Sequence, residues 1–433
     1  MQDLWPILQN QDQSRGVFRA MSQASMTPYH HWDKLVHLSP PEGLDHEQWW
    51  LGLKLGRNSL RRPTPLLDRD GKDFGFATPD EVQELLHRID QEASGQISFA
   101  EAVTSPGLRD RYVVSSLIEE AITSSQLEGA STTRRVAKDM LRTGRPPRDR
   151  SEQMIVNNYR AMRLVGDMRA QALTPELVCR LHRIVTEDTL DNPDAAGRLQ
   201  RPEEDRVAVY DEKAELLHRP PDAAELPQRL SVMCDFANGA AGRGFIHPVV
   251  RAVILHFWMG YEHYFEDGNG RTARAVFYWS LLSQGYWLAE FITISSILKK
   301  GPSRYARSFL FTETDENDLT YFVIYHLRVT QRAIEELQAY LRRKMNEIRA
   351  AESLLRHSMR LNHRQLALVG HAMRNPDATY TIESHRRSHG VVYQTARSDL
   401  LEMVEFKLLE QGKIGRAFVF TPLPDLTQRL AAV

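Results

Sequence analysis

A short stretch near the middle of the chain, residues 263–274, contains the side chains best suited to chemistry. Its sequence is His-Tyr-Phe-Glu-Asp-Gly-Asn-Gly-Arg-Thr-Ala-Arg. His263 has a side chain that titrates near neutral pH, so it can serve as a general base. Asp267 offers hard carboxylate oxygen, which suits a Mg²⁺ ion that bridges phosphate oxygens. This combination predicts a site for a nucleotide triphosphate.

The glycines and arginines of the same stretch predict an anion site. Gly268 and Gly270 can adopt positive φ at no steric cost, so the N–H groups around Asn269 can converge on an anion. The residues that follow predict a helix, and a helix N-terminus attracts phosphate through its unpaired N–H groups and its dipole. Arg271 and Arg274 lie on neighbouring positions of that helix, and guanidinium groups bind phosphate oxygens in pairs.

These residues resemble the signature of the Fic family, which is His-x-Phe-x-(Asp/Glu)-Gly-Asn-Gly-Arg-x-x-Arg. Every fixed position of the signature is met. The one departure from the commonest form is Tyr264, where proline is usual, and that position carries no chemistry. The resemblance extends upstream to residues 245–252 and downstream to about residue 318. It implies an all-helical catalytic core at residues 151–318, so the chain is expected to be mainly α.

The resemblance also implies an activity, the transfer of AMP from ATP to a Ser, Thr or Tyr hydroxyl of a protein with release of pyrophosphate. On this comparison His263 takes the proton from the hydroxyl as it attacks the α-phosphorus. The glycine-rich turn and Asn269 hold the α-phosphate. Asp267 holds Mg²⁺ between the α- and β-phosphates, and Arg271 and Arg274 bind the β- and γ-phosphates. The expected cofactor is therefore Mg²⁺, with ATP as substrate.

A second motif lies upstream, where residues 117–129 predict a helix that ends in a carboxylate and a capping glycine. Ser124, Glu128 and Gly129 fit the inhibitory motif of the family, (Ser/Thr)-x-x-x-Glu-(Gly/Asn), as in the subclass with an N-terminal inhibitory helix. The resemblance implies that Glu128 pairs with Arg274 and keeps it from the γ-phosphate. Breaking a buried charge pair from one side costs about 3–5 kcal/mol, so the chain is expected to be largely self-inhibited.

Residues 201–221 predict a short hairpin near the site. In the family a hairpin at this place, the flap, binds the backbone of the target protein by adding a strand, which makes little demand on the target sequence. A surface hairpin without a role is the alternative. The second strand is expected at residues 214–218, and the first strand, expected to bind the target, comprises Val207, Ala208, Val209 and Tyr210.

The C-terminal residues 361–433 follow a different pattern. Helices predicted at 361–373, 382–389 and 393–405 precede two strands around a glycine turn, an order that resembles the winged helix-turn-helix superfamily. The third helix would then be the recognition helix. Acidic side chains offset much of its basic charge, so docking to a protein or dimerisation competes with DNA binding. The candidate DNA contacts are Gln394, Thr395 and Arg397, with Lys413 and Arg416 on the wing.

The composition narrows the class of protein. The chain has 433 residues, 42% hydrophobic and 26% charged, which is typical of soluble globular proteins. A formal net charge of -1 gives no general attraction to nucleic acid or to an anionic membrane. Cys179 and Cys234 are the only cysteines, which suits a reducing compartment. Without an evident signal peptide or an apolar span, a cytoplasmic location without a membrane partner is expected.

The rest of the chain must position these residues. Apolar spacing predicts helices at 79–93, 108–129, 152–172, 174–190, 223–239 and 247–264. The expected domains are an N-terminal helical extension at 1–97, an inhibitory helix and loop at 98–150, the Fic core at 151–318, a helical connector at 319–360 and the winged helix at 361–433.

Two functions remain open on the sequence. The first is a protein adenylyltransferase held down by Glu128. The alternative is a DNA-binding transcriptional regulator whose Fic core senses a nucleotide or removes AMP. His263 favours the enzyme, since a core that only binds has no need of a base. The target protein is not identified, and self-modification and a homodimer stay open as well.

Overall fold

The computed structural model describes residues 11–24, 26–93, 106–210, 216–241, 244–357, 361–374, 378–414, 417–424, 426 and 429. The fold is mainly α, as the sequence predicts, with three short antiparallel hairpins in the described part. The chain forms two compact units. The first spans residues 1–96 and 115–334, and the second spans residues 97–114 and 335–433. Among the described residues, no helix combines the length and the apolar character needed to cross a membrane.

The N-terminal part of the first unit is built on two crossing helices. Its elements are α1 Gln11–Ser22, α2 Trp32–Leu35, α3 His46–Leu60, β1 Arg62–Leu67, β2 Asp73–Phe76 and α4 Asp80–Ala93. Helix α3 begins with a capping box, in which Asp45 and Gln48 exchange side-chain to main-chain hydrogen bonds. Gly52 and Gly56 let α1 approach closely, since a Cβ on either would lie 2.5 Å from a main-chain oxygen of α1. Only glycine fits this crossing.

Further α-helices of the first unit follow α4 in the sequence. They are α5 Pro106–Leu127, α6 Arg134–Thr143, α7 Arg150–Asp167, α8 Pro175–Thr186, α9 Leu226–Ala237, α10 Pro248–Glu262, α11 Asn269–Ser283, α12 Ile294–Lys299 and α13 Pro302–Thr314. The predicted helix 174–190 stops at Thr186, while its start is as predicted, with Thr174 as N-cap and Pro175 in the first turn. The first nine residues of α5 belong to the second unit.

Helix α10 lies at the centre of this region and packs along α11. Its side chains are buried on nearly every side, from Val249 to Glu262, which explains why its apolar residues show no single face. The hairpin β3 Val209–Tyr210 and β4 Leu216–His218 is shorter than predicted. Only the ends of the two strands pair, Val209 with His218 and Tyr210 with Leu216, across an irregular register.

The second unit contains three helices and a hairpin in the predicted order. Helix α14 Thr320–His357 enters it from the first unit. The elements that follow are α15 His363–Arg374, α16 Ile382–His389, α17 Tyr393–Glu405, β5 Leu409–Ile414 and β6 Ala417–Pro422. Helices α16 and α17 have the predicted bounds, and α15 begins two residues later than predicted. The strands pair without a break in register from Leu409 with Pro422 to Ile414 with Ala417.

Candidate active site

The loop between α10 and α11 begins at His263, which leaves the helix in the left-handed region with φ 45° and ψ 56°. Its Nδ1 lies 2.6 Å from the carbonyl oxygen of Gly260. Because a carbonyl can only accept, Nδ1 carries the hydrogen, and the lone pair is on Nε2. Burial lowers the pKa of His263 to about 4, so the ring is neutral at pH 7. This is the protonation state that a general base requires.

Asn269 shapes the loop with its side chain. Its Oδ1 accepts from the main-chain N–H of Phe265 at 3.0 Å, and its Nδ2 donates to the carbonyl of Phe265 at 2.7 Å. Both side-chain groups are therefore engaged, and the residue is only 5% exposed. The predicted contact of Asn269 with the α-phosphate is then left to its main-chain N–H and to the second hydrogen of Nδ2.

The start of α11 is where the sequence predicts that an anion binds. In the described part of the chain, no hydrogen bond uses the main-chain N–H groups of Asn269, Gly270 or Arg271. Gly268 has φ 79°, and a Cβ there would lie 2.6 Å from Cγ2 of Thr186. Glycine is thus required at 268 both for its conformation and for its size. Unpaired N–H groups at a helix N-terminus favour a phosphate group.

The carboxylate of Asp267 is nearly half exposed and lies beside two arginines. Its Oδ2 is 3.6 Å from Arg271 and 3.8 Å from Arg150. The described residues contain no cluster of three or more His, Cys, Asp or Glu side chains suited to a metal ion. A single accessible carboxylate fits Mg²⁺, because that ion takes most of its ligands from nucleotide phosphates and water.

Arg271 and Arg274 are each 1% exposed and keep unused donors. Among the described residues, Nε and Nη2 of Arg271 and Nη1 of Arg274 have no hydrogen-bond partner. The other nitrogen of Arg271, Nη1, donates to the carbonyl of Val185 at 3.1 Å. Buried guanidinium N–H groups without acceptors are costly, and an anion would satisfy them.

The end of α5 lies against Arg274. Arg274 contacts Glu128 and Ser124. Its Nη2 is 2.7 Å from Oε1 of Glu128, and its Nε donates to Oγ of Ser124 at 2.8 Å. A Cβ on Gly270 would collide with the same Glu128 oxygen, so this carboxylate lies directly beside the start of α11. Gly129 has φ 90° and ends the helix as the sequence predicts. The ion pair between Glu128 and Arg274 is present, while its inhibitory role stays a prediction.

Glu120 lies two turns before Glu128 on the same face of α5 and was not singled out in the sequence. It is 1% exposed and accepts hydrogen bonds from the main-chain N–H and the hydroxyl of Ser295. Burial raises the pKa of this carboxyl group. Only its position four residues before Ser124 and eight before Glu128 could have indicated it.

His182 is a second site residue that sequence reasoning missed. Its Nε2 donates to the carbonyl of Asp267 at 2.8 Å, and its Nδ1 accepts from the main-chain N–H of Gly197 at 2.9 Å. Its ring stacks on Phe265 with centroids 3.7 Å apart, and burial lowers its pKa to about 4. His182 therefore supports the loop from below. In the sequence it is one histidine on the apolar face of α8, which gives no signal of this role.

The predicted flap residues divide into two groups. Val209 and Tyr210 form β3, while Val207 and Ala208 precede the strand and lie outside its ladder. The prediction of a four-residue first strand is thus wrong, because the two strands pair only near their ends. The intervening residues 211–215 lie outside the described residues.

The candidate DNA contacts lie in the second unit. Gln394 and Arg397 are exposed on α17, and Thr395 is half-buried. Lys413 lies 5.0 Å from the ring centroid of Phe418 on the hairpin. Arg416 lies outside the described residues.

Asp399, one of the acidic side chains expected to offset the charge of the third helix, is buried instead. It accepts hydrogen bonds from Arg364 at 2.7 Å and 2.9 Å, and His385 lies 3.1 Å away. Its charge is therefore neutralised inside the unit. These partners lower the pKa of Asp399 to about 2, against the effect of burial.

Comparison with known proteins finds a family match within the first unit. Residues 172–281 match the model of the Fic/DOC family. A curated relative, the protein adenylyltransferase Fic of Nematostella vectensis, is 23% identical over 267 residues, which is 60% of this chain and 56% of the relative. The chain thus spans little more than half the length of that relative.

Two solved structures are similar. A Fic family protein from Desulfovibrio desulfuricans G20 has a TM-score of 0.53 and 17% identity, over 80% of this chain and 97% of that chain. A Fic domain containing signaling protein from Bacteroides thetaiotaomicron has a TM-score of 0.48 and 19% identity, over 61% of this chain and 97% of that chain. The first likeness shows a shared fold.

Proposed function

Because the chain carries a Fic domain, we propose that it is a protein adenylyltransferase, which transfers AMP from ATP to a Ser, Thr or Tyr hydroxyl of a protein and releases pyrophosphate. The observation that carries the proposal is the pair of buried arginines with unused N–H donors at the start of α11. The neutral His263 and the accessible carboxylate of Asp267 lie in the loop that precedes this helix. A nucleotide triphosphate satisfies all of these groups at once.

In this reaction Nε2 of His263 takes the proton of the target hydroxyl. The hydroxyl oxygen forms a bond to the α-phosphorus, and the bond from that phosphorus to the bridging oxygen of the β-phosphate breaks. The main-chain N–H groups at the start of α11 hold the α-phosphate oxygens. The contribution of the protein is mostly position and charge neutralisation.

Asp267 would hold Mg²⁺, which when bound would neutralise negative charge on the phosphate groups. Arg271 and Arg274 then bind the β- and γ-phosphates. Both guanidinium groups are already fixed by the protein, Arg271 by the carbonyl of Val185 and Arg274 by Ser124. Little side-chain entropy is therefore lost when the pyrophosphate portion binds.

The same arrangement supports autoinhibition by α5. Glu128 accepts a hydrogen bond from Nη2 of Arg274 at 2.7 Å and lies against Gly270. A γ-phosphate on Arg274 would meet this carboxylate, and two anions at hydrogen-bond distance repel each other. The wild-type protein is accordingly slow, and removal of the carboxylate releases it.

The target is a protein whose backbone pairs with β3 of the hairpin formed by β3 and β4. Strand addition gives affinity with little demand on the target sequence. The chain itself is a candidate target, and a homodimer remains compatible with this arrangement.

We also propose that residues 361–433 form a winged helix that docks to a protein. Its support is the exposed Val392 and Tyr393 at the start of α17, which are 68% and 54% exposed.

The proposal is tested with the Glu128→Gly variant and ATP that carries a radioactive label at either the α- or the γ-phosphate. With Mg²⁺ and a cell extract, and after subtraction of the label that the extract alone incorporates, label from the α position is expected on protein, and label from the γ position is expected only in pyrophosphate. Protein labelled from the γ position would indicate a kinase instead. No label from either position, with ATP bound, would reject the adenylyltransferase.

A further inference from the structure

The main-chain carbonyls at the end of α10 are held by the hairpin segment. The last carbonyls of a helix have no partner within the helix. Here His218 of β4 lies 2.7 Å from the carbonyl oxygen of Tyr261 through its Nε2. Arg206, which precedes β3, donates to the carbonyls of Glu262 at 2.6 Å and His263 at 3.0 Å. Three consecutive carbonyls, the last of them on His263 itself, thus take donors from the two arms of one hairpin.

Arg206 also closes the base of the hairpin. Its Nε donates to the carbonyl of Pro221 at 2.8 Å, and its Nη1 donates a hydrogen bond to Oε1 of Gln200. The main-chain N–H of Gln200 in turn donates to the carbonyl of Tyr264 at 3.0 Å. One planar guanidinium therefore joins both arms of the hairpin to the residues on either side of the catalytic loop. Lysine, with a single nitrogen, cannot reproduce this set of contacts.

The second arm is fixed independently of Arg206. The other ring nitrogen of His218, Nδ1, lies 2.7 Å from Oε2 of Glu313 on α13. The ring centroids of His218 and His263 are 6.3 Å apart. The end of β4 is thus attached to the core, and the arm that leads into β3 depends on Arg206.

His263 requires such support, because its φ of 45° lies in a region that non-glycine residues rarely adopt. A conformation of this kind costs about 1–3 kcal/mol and persists only where the surroundings enforce it. Arg206 binds the carbonyl of this very residue, so it constrains the orientation of the peptide that carries the imidazole.

We propose that Arg206 is a positioning residue that couples the hairpin to the catalytic base. The guanidinium that sets where a target strand lies also sets where Nε2 of His263 lies. The target hydroxyl and the base are thereby aligned by a single group. This inference rests on the proposed function and adds to it the residue that connects target binding with proton removal.

The test compares Arg206→Gln and Arg206→Lys in the Glu128→Gly background. Arg206→Gln is expected to lower kcat for AMP transfer by about 10- to 100-fold, because small misplacements of a catalytic group have effects of this size. The KM for ATP is expected to stay within about twofold, since the phosphate contacts are untouched. Arg206→Lys recovers part of kcat. Arg180→Gln, which changes an exposed arginine on α8, serves as the matched control and leaves both constants unchanged.

A second readout does not depend on AMP transfer. The ring signals of His263, identified with a His263→Gln variant, are compared by NMR of histidine-labelled protein with and without Arg206→Gln. The inference predicts that they shift with Arg206→Gln and do not shift with Arg180→Gln. Unchanged ring signals, or an Arg206→Gln variant with the parental kcat, overturn it. If Glu128→Gly transfers no AMP, the adenylyltransferase proposal fails, while the NMR result still decides whether Arg206 positions His263.

Discussion

The sequence predicts a phosphate site at the N-terminus of α11 and candidate DNA contacts at the N-terminus of α17, but the arginines near the two helices are used differently. At α11, Arg271 and Arg274 are almost fully buried and keep donors without partners among the described residues. In the second unit, Arg364 is bound to Asp399, and Arg386 pairs with Glu383. Among the described residues, the first site keeps buried donors unused even though Glu128 pairs with Arg274, whereas the second has paired much of its positive charge.

This difference indicates what a buried polar group can reveal about function. A guanidinium removed from water loses its hydration, so a protein that leaves its N–H groups unpaired gives up stability. Such a cost is expected where a ligand completes the hydrogen bonds. An exposed arginine such as Arg397 carries no such cost and gives no comparable indication. Unused buried donors are therefore stronger support for a phosphate site than basic residues on a helix face.

The largest effect on this comparison is expected from His263→Ala. In the Glu128→Gly background it removes the base and is expected to lower kcat for AMP transfer by about 10²- to 10⁴-fold. ATP binding should persist, because the arginines and the start of α11 are unchanged. Transfer rates and ATP titration by calorimetry measure the two effects separately. Full activity without the imidazole would remove His263 from the mechanism.

Asn269→Ala tests whether the loop at α11 is held by the side-chain amide. The variant loses two hydrogen bonds and leaves the N–H and carbonyl of Phe265 buried without these partners. The expected cost is about 2–3 kcal/mol in the free energy of unfolding. Urea titration followed by tryptophan fluorescence measures it, since all seven tryptophans lie before residue 288. The control Asn58→Ala changes an exposed asparagine in α3. Equal unfolding free energies for the two variants would contradict the role given to Asn269.

Acid should destabilise the first unit through the buried His326. Burial lowers the pKa of His326 to about 3, whereas an unfolded histidine titrates near 6.5. Below pH 6.5 the unfolded state therefore binds a proton that the folded state does not. The free energy of unfolding falls by about 1.4 kcal/mol per pH unit from this residue, down to its folded pKa. Urea titrations at pH 7.5 and 5.5 should show a smaller loss for His326→Phe, and an identical loss would disprove the assignment.

The smallest effect is expected at α17. With its neighbouring cations paired, the second unit should show no steep salt dependence of duplex DNA binding, and Arg397→Ala should change little. Fluorescence anisotropy with a labelled duplex at 50 and 200 mM salt measures this. A loss of about 10³-fold in affinity between these salt concentrations would show several phosphate contacts. That result would give α17 the DNA-binding role and weaken the contrast with α11.

The sequence predicts the residues of the site better than their contacts. The helix after Gly270, the glycine end at Gly129 and the bounds of α17 follow from local rules of turns, caps and periodicity, and the structure agrees with them. The roles of His182 and Arg206 could not be predicted, because their partners lie 85 and 57 residues away in the chain. Long-range pairing of this kind leaves no periodic pattern.

The flap shows the same limit from another side. The sequence predicts four residues for its first strand, but β4 pairs with only two of them, Val209 and Tyr210. The side chain of Asn269 is a third case. The family resemblance implies that it holds phosphate, while the fold turns its amide toward Phe265. The residue type is predictable, but the direction of its side chain depends on the loop.

The most direct test of the account is the rate of AMP transfer by wild type, Glu128→Gln and Glu128→Gly at saturating ATP and Mg²⁺. The account predicts that Glu128→Gly is the fastest and the wild type the slowest. Glu128→Gln should lie between them, since it keeps the size of the side chain and removes the charge that pairs with Arg274. Equal rates for all three proteins would show that the contact between Glu128 and Arg274 does not restrain the active site.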